Sequence, residues 1–212
     1  MIDLSLGISR IQKQGVLPFF IPSRDNRCDI GTMQSLSNLS LLLLQKFKLQ
    51  SVIYSANASN IPRARNQCLR GLDLPDKNGG ELFCLWLDDD MIISVEHLPY
   101  LASMMEYALT MPRKTIVVTN YRTMIENFRP QLMRHRHLEP SNEVWVPGSE
   151  DRYQELGQSG ASGLGMAIGW FPREYVFHAD EFGEDIYFWY ETKINMIVDT
   201  AWIPGHRKEM VI

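Results

Sequence analysis

The feature that most constrains this chain is Leu82-Phe83-Cys84-Leu85-Trp86-Leu87, an unbroken apolar run that ends on Asp88-Asp89-Asp90. A run of that length without polar alternation suits a strand buried on both faces, as in a parallel sheet. Three adjacent carboxylates at its end repel one another, and burial there is costly unless a cation compensates them. In open α/β sheets, ligands bind beyond the carboxyl ends of the strands, which is where the triplet falls. Oxygen ligands of this kind suit Mg²⁺ or Mn²⁺. A solvated acidic turn leading into the next helix is the plainer reading.

Val16 to Ile21 is a second apolar run, ending in the turn chemistry of Pro22-Ser23-Arg24-Asp25. Met33, Leu36, Leu39, Leu43 and Phe47 recur at helical steps. A short strand over Gln50–Tyr54 follows. Ser59-Asn60-Ile61-Pro62 then signals a helix start that should run to about Gly71. A helix beginning near Pro99 and a strand from Thr115 to Tyr121 continue the alternation, which predicts a mostly parallel central sheet with helices on both faces. The second half reads differently. Glu143 to Val146 alternates like an exposed strand. Gly157 to Gly169 is glycine-rich and ends in a strand-like Met166-Ala167-Ile168 threading a crowded place. A helix is expected from about Gly183 to Val198, although Ile197 to Trp202 also has strand character. Gly163, Gly165 and Gly169 do not make a dinucleotide fingerprint, because the spacing is wrong and Trp170-Phe171-Pro172 follows where a helix should open.

The 212 residues are expected to form one α/β domain, with halves of about 15–121 and 122–212. A net charge of −4 argues against a nucleic-acid-binding module. Arg134-His135-Arg136-His137, with Arg122 and Arg129 upstream, is the one basic cluster and reads as a solvated face or a contact for an anionic acceptor. Cys28, Cys68 and Cys84 show no C-x-x-C spacing, so neither a disulfide framework nor a zinc knuckle is expected. No apolar run reaches the ~18 residues of a membrane-spanning helix, and the opening residues lack the order of a signal peptide. These features lead to the expectation of a cytoplasmic protein.

Ala64-Arg65-Asn66 on a helix, followed about twenty residues on by Leu85-Trp86-Leu87-Asp88-Asp89-Asp90-Met91, resembles the nucleotide-sugar half of GT-A fold glycosyltransferases of the family 2 kind. Pro22-Ser23-Arg24, Gly183-Glu184-Asp185-Ile186 and the late His206 follow in the order of that family, so the resemblance covers essentially the whole chain. It implies a single Rossmann-like domain, a nucleotide-diphosphate sugar donor, a hydroxyl acceptor (glycan, protein or small molecule) and a divalent metal, Mn²⁺ or Mg²⁺. Carried over residue by residue, it implies Pro22, Ser23 and Asp25 near the nucleoside, and Arg65 near the diphosphate or the acidic triplet. It further implies Asp88 near the ribose and donor sugar, Asp90 on the metal, and Asp89 able to replace either neighbour. Asp88, Asp90 and His206 would form the metal set. Asp185 would be the general base of a single, inverting displacement. On the residues alone, Glu184-Asp185 also suits a helix start, where acidic side chains complement the dipole. Arg65 and Arg63 likewise suit a solvated helix face. A nucleotidyltransferase and a non-catalytic nucleotide-sugar-binding protein remain alternatives, as does a second subunit completing the acceptor site in a homo-oligomer.

Overall fold

The structure is a computed structural model that describes residues 3–24, 27–119, 132–133, 151–158, 161–179, 184–202 and 205–206, of which 132–133, 161 and 205–206 are described as backbone only. Helix α1 (Leu4–Gln14) precedes β1 (Leu17–Ser23), α2 (Ile30–Phe47), β2 (Ser51–Asn57) and α3 (Ile61–Gly71). Then come β3 (Glu81–Leu87), β4 (Met91–Ile92), a 3₁₀ turn at Val95–His97, α4 (Leu98–Leu109) and β5 (Thr115–Thr119). The short β6 (Leu132–Met133), β7 (Tyr153–Gly157) and β8 (Ala161–Ser162) lead to β9 (Met166–Pro172), α5 (Glu184–Thr192), β10 (Asn195–Asp199) and β11 (Gly205–His206).

Seven strands form the central sheet in the order β2-β1-β3-β9-β5-β10-β7, and β4–β11 and β6–β8 are small separate pairs. Strands β2, β1, β3, β5 and β10 run one way, and β9 and β7 run antiparallel to their neighbours. The chain is therefore a mixed α/β protein with helices on both sheet faces. The expectation of a mostly parallel sheet holds for five of the seven strands, and the two exceptions are β9, between β3 and β5, and β7 at the edge.

Alternation along the buried strands divides the interior into two layers. Phe83, Leu85 and Leu87 join Phe19, Leu36, Leu39 and Met105 on the face covered by α1, α2 and α4. Leu82, Cys84 and Trp86 join Phe20, Cys68, Phe188 and Trp189 on the face covered by α3 and α5. All seven positions of β1 are buried, although it contains two prolines. Pro18 and Pro22 flank the short β1–β3 ladder at Phe19 and Phe20, so neither removes a donor from it. One level below, the buried Gln14 amide substitutes for strand pairing by bonding both the N–H and the C=O of Phe83 at 2.9 Å.

The caps match the sequence reading where they depend on local chemistry. Asn60 accepts from Arg63 N at 2.9 Å and opens α3, with a proline in the first turn. The expected helix from Gly183 to Val198 is cut short, because α5 stops at Thr192 and Lys193 turns the backbone at φ 53. Asn195–Asp199 then pairs with β5 as β10. The apolar spacing across this junction fits a helix by coincidence, and sheet pairing decides the outcome. Glu143 to Val146 and the basic cluster at 134–137, with Arg122 and Arg129, lie outside the described residues. Cys28, Cys68 and Cys84 are free thiols. Among the described residues no helix is long and apolar enough to cross a membrane.

Antiparallel β9 fits between its neighbours because of Gly169. Its φ is 152, and a Cβ there would stand 2.3 Å from the carbonyl oxygen of Thr115. That is backbone against backbone, with no flexible side chain to yield. Gly169→Ala is expected to cost about 3 kcal/mol or more, read as a lowered midpoint in denaturant unfolding at unchanged slope. An unchanged midpoint would refute the close crossing.

Candidate functional site

Three strand ends define a shallow floor. Ser23 closes β1, Asn57 closes β2, and Asp88 follows Leu87 directly off β3. The acidic triplet forms a tight turn, with Met91 N donating to the carbonyl of Asp88 at 3.1 Å and Asp88 N to the carbonyl of Gly165 at 2.9 Å. Asp89 and Asp90 thus occupy the central turn positions, where acidic side chains are well tolerated. The buried Ser23 hydroxyl donates to Asp89, which ties the β1 and β3 ends together. Beyond the turn, α2 holds the chain. Thr32 Oγ1 donates to Met91 O and accepts from Ile93 N, both at 2.9 Å, and Ser35 donates to Ile93 O at 2.7 Å.

Arg65 is the centre of this region. It lies on α3 with no exposure, its guanidinium 5.6 Å from the Trp86 ring and 5.8 Å from the Phe177 ring, and those rings also touch each other at 5.9 Å. One guanidinium nitrogen stands 3.1 Å from Asp88 Oδ1 and 3.2 Å from Asp185 Oδ1, and Nε stands 3.3 Å from Glu184 Oε1. Arginine suits this place because its delocalised charge is weakly hydrated and its planar face stacks on aromatic rings. The reading of Arg65 as a solvated helix-face residue is excluded by its burial. Next along α3, the Asn66 amide bonds both backbone groups of Phe177, at 2.6 and 2.7 Å, which fixes the ring that covers Arg65.

Three carboxylates around one guanidinium leave negative charge in excess, with Asp90 close by. Burial, opposed by Arg65 and reinforced by Asp90 and Glu184, pushes Asp88 up from its ordinary 3.8 to about 6. Burial likewise pushes Asp185 up to about 7, against the pull of Arg65 and of the Leu164 N–H that donates to its Oδ2 at 3.0 Å. Neither carboxylate is sealed, since 23% of the Asp88 side chain and 19% of the Asp185 side chain remain exposed. The helix-start role of Glu184 and Asp185 is real, for both sit in the first turn of α5, yet both also point into Arg65.

The structure therefore brings together Ser23, Arg65, Asp88, Asp89 and Asp185. Pro22 lies in register with Ala56 at the buried end of β1. Asp90 follows in the turn. The backbone of His206 pairs with Met91, the residue after Asp90, through the β4–β11 ladder. Asp25 lies outside the described residues. Glu184, Trp86, Asn66 and Phe177 were not singled out as site residues by sequence reasoning. Only Asn66 and Glu184 carried a hint, as neighbours of Arg65 and Asp185. Among the described residues, no three His, Cys, Asp or Glu side chains stand close enough together to hold a metal ion.

The chain matches no protein-family model and no curated protein. Among solved structures it is similar to the crystal structure of A197 from STIV, at 18% identity and a TM-score of 0.47, over 92% of this chain and 86% of that one. A likeness at that level fixes neither family nor activity.

Two variants test the charge balance. Arg65→Met leaves Asp88, Asp185 and Glu184 without their shared cation and should destabilise the fold by about 3 kcal/mol or more near pH 8. Asp185→Asn should act oppositely. Because the folded chain binds the Asp185 proton more tightly than the unfolded chain does, stability falls as pH rises from about 4 to about 7. Removing that charge should raise the melting temperature at pH 8 and flatten its pH dependence over that window. A lowered melting temperature for Asp185→Asn at pH 8 would show that its carboxylate is a net stabiliser.

Proposed function

We propose that the protein is a metal-dependent glycosyltransferase of GT-A type, moving a sugar from a nucleotide-diphosphate sugar to an acceptor hydroxyl with inversion. The observation that carries this reading is the surplus of partly open carboxylates at the ends of β3 and α5, gathered on one buried arginine. Such a surplus fits a divalent cation and the polyanionic donor that a cation accompanies. The resemblance in the order of Arg65, Asp88–Asp90, Asp185 and His206 supports the same reading.

In this reading Asp88 and Asp90 supply oxygen ligands, and His206 supplies an imidazole compatible with Mn²⁺. The β4–β11 ladder, which carries the His206 backbone next to the acidic turn, favours that set. Bound there, the metal would neutralise charge on the departing diphosphate. Ser23, through Asp89, sets the edge of the nucleoside subsite beside Pro22. Arg65 orients Asp88 and Asp185. Asp185 takes the proton from the acceptor hydroxyl as that oxygen attacks the anomeric carbon, and its raised pKa suits a base working near neutrality. Turnover should accordingly rise with pH through about 7, as Asp185 ionises.

The test is donor binding and turnover across UDP-, GDP-, ADP- and dTDP-sugars with and without Mn²⁺. Asp90→Asn should weaken Mn²⁺-dependent donor binding at least about tenfold, as should His206→Ala for Mn²⁺ in the presence of nucleoside diphosphate. Asp185→Asn should keep donor affinity and lose on the order of 10²–10⁴ in turnover. Donor binding without any hydrolysis or transfer would identify a non-catalytic nucleotide-sugar binder. Failure to bind any nucleotide sugar would overturn the proposal.

A further inference from the structure

The central sheet ends on β2, and nothing in that strand discourages further pairing. Among the described residues no strand lies outside it. Ser51–Asn57 runs in unbroken register with β1, with no bulge, proline or charged side chain. Outer strands of natural sheets usually carry one of those protections, because an open row of N–H and C=O groups templates additional strands.

The two faces beside this edge differ in chemistry. On the α3 face, a groove of about 680 Å³ runs between strand and helix, lined by Tyr54, Asn57, Arg63, Gln67 and Arg70 among others. Arg63 and Arg70 are exposed two turns apart on α3, and neither forms an ion pair with a described residue. No acidic side chain lines that groove. On the α2 face, a second groove of about 640 Å³ is lined by Leu41, Leu44, Val52 and Ile53. Leu41 and Leu44 are 57% and 45% exposed there and, three positions apart on α2, share one face of the helix.

A strand added to β2 would direct successive side chains to opposite faces. We propose that this edge receives an extended segment of a partner protein in which acidic and apolar residues alternate. The carboxylates meet Arg63 and Arg70, and the apolar side chains rest on Leu41 and Leu44. Main-chain pairing along β2 provides affinity, and the two unlike grooves provide the selection. Geometry is compatible. Seven helical residues separate the arginines by about 10 Å along α3, and alternate strand residues lie about 6.7 Å apart, a difference the long arginine arms absorb. Charge decides against a second copy pairing β2 to β2, because Ser51–Asn57 contains no carboxylate to offer the arginines. The inference is independent of the proposed catalytic role, since Arg65 faces inward on α3 whereas Arg63 and Arg70 face out.

The test uses the full chain and a fluorescein-labelled peptide, Val-Glu-Val-Glu-Val-Glu-Val, followed by anisotropy. Saturable binding is expected. It should weaken at least about tenfold in the Arg63→Glu/Arg70→Glu double variant, and also with the block-ordered peptide Val-Val-Val-Val-Glu-Glu-Glu. N-methylation of alternate peptide amides should abolish it in one of the two registers, because only one set of amides faces β2. The proposal fails if no saturation is seen up to about 1 mM peptide. It fails equally if the double variant binds as well as the parent, or if N-methylation leaves binding unchanged in both registers, which would mean a simple anion site. Self-association of the chain that Leu41→Glu abolishes and the peptide does not compete with would also overturn it, by giving this face to a second copy.

Discussion

A guanidinium with no access to water keeps its charge only where carboxylates accompany it, and Arg65 draws three of them from two distant parts of the chain. Asp88 comes from the end of β3, and Glu184 and Asp185 come from the start of α5. The ion cluster thus adds to the β3–β9 ladder a second fastening between the β3 end and the second half of the chain. Trp86 and Phe177 pack against the guanidinium and against each other, and Asn66 holds the Phe177 backbone in place.

The same cluster has a chemical consequence. One positive charge cannot balance three carboxylates and a neighbouring Asp90, so the protein stores unfavourable charge at the sheet's carboxyl edge. Elsewhere it treats buried charge differently. Asp199 is fully buried, but Arg152 bonds both its oxygens at 3.0 and 2.8 Å and the pair is balanced one to one. That contrast separates a balanced ion pair beside β10 from a cluster whose carboxylates outnumber its cation. Stability given up at one place and not at the other is the usual mark of a site under functional demand.

What the sequence made legible was local. The apolar run of β3 and its acidic stop, the Asn60 cap with Pro62, and the helical spacing of Leu36, Leu39 and Leu43 all depend on neighbours a few residues apart, and each element formed where expected. Strand direction was not legible, because β9 is buried on both faces and a buried strand reads the same in either direction. Gly169 signalled a close crossing without telling what crosses. The end of α5 was hidden by apolar residues that keep helical spacing into β10. In the site, Asp88 and Asp185 could be named from their contexts, but the contact of Arg65 with Glu184 spans 119 positions and leaves no local pattern. Burial of Arg65 was likewise invisible, since an arginine beside Arg63 on a capped helix looks solvated until Trp86 and Phe177 are placed.

The most direct measurement is a side-chain ¹³C carboxyl titration of Asp88 and Asp185 in the intact protein. The account predicts that both titrate well above the ordinary 3.8. It also predicts that the Asp88 midpoint moves down when Mg²⁺ and a nucleoside diphosphate are added together, as a cation settles beside the acidic turn. Carboxyl groups that titrate near their ordinary value, or that ignore the added metal and nucleotide, would contradict it.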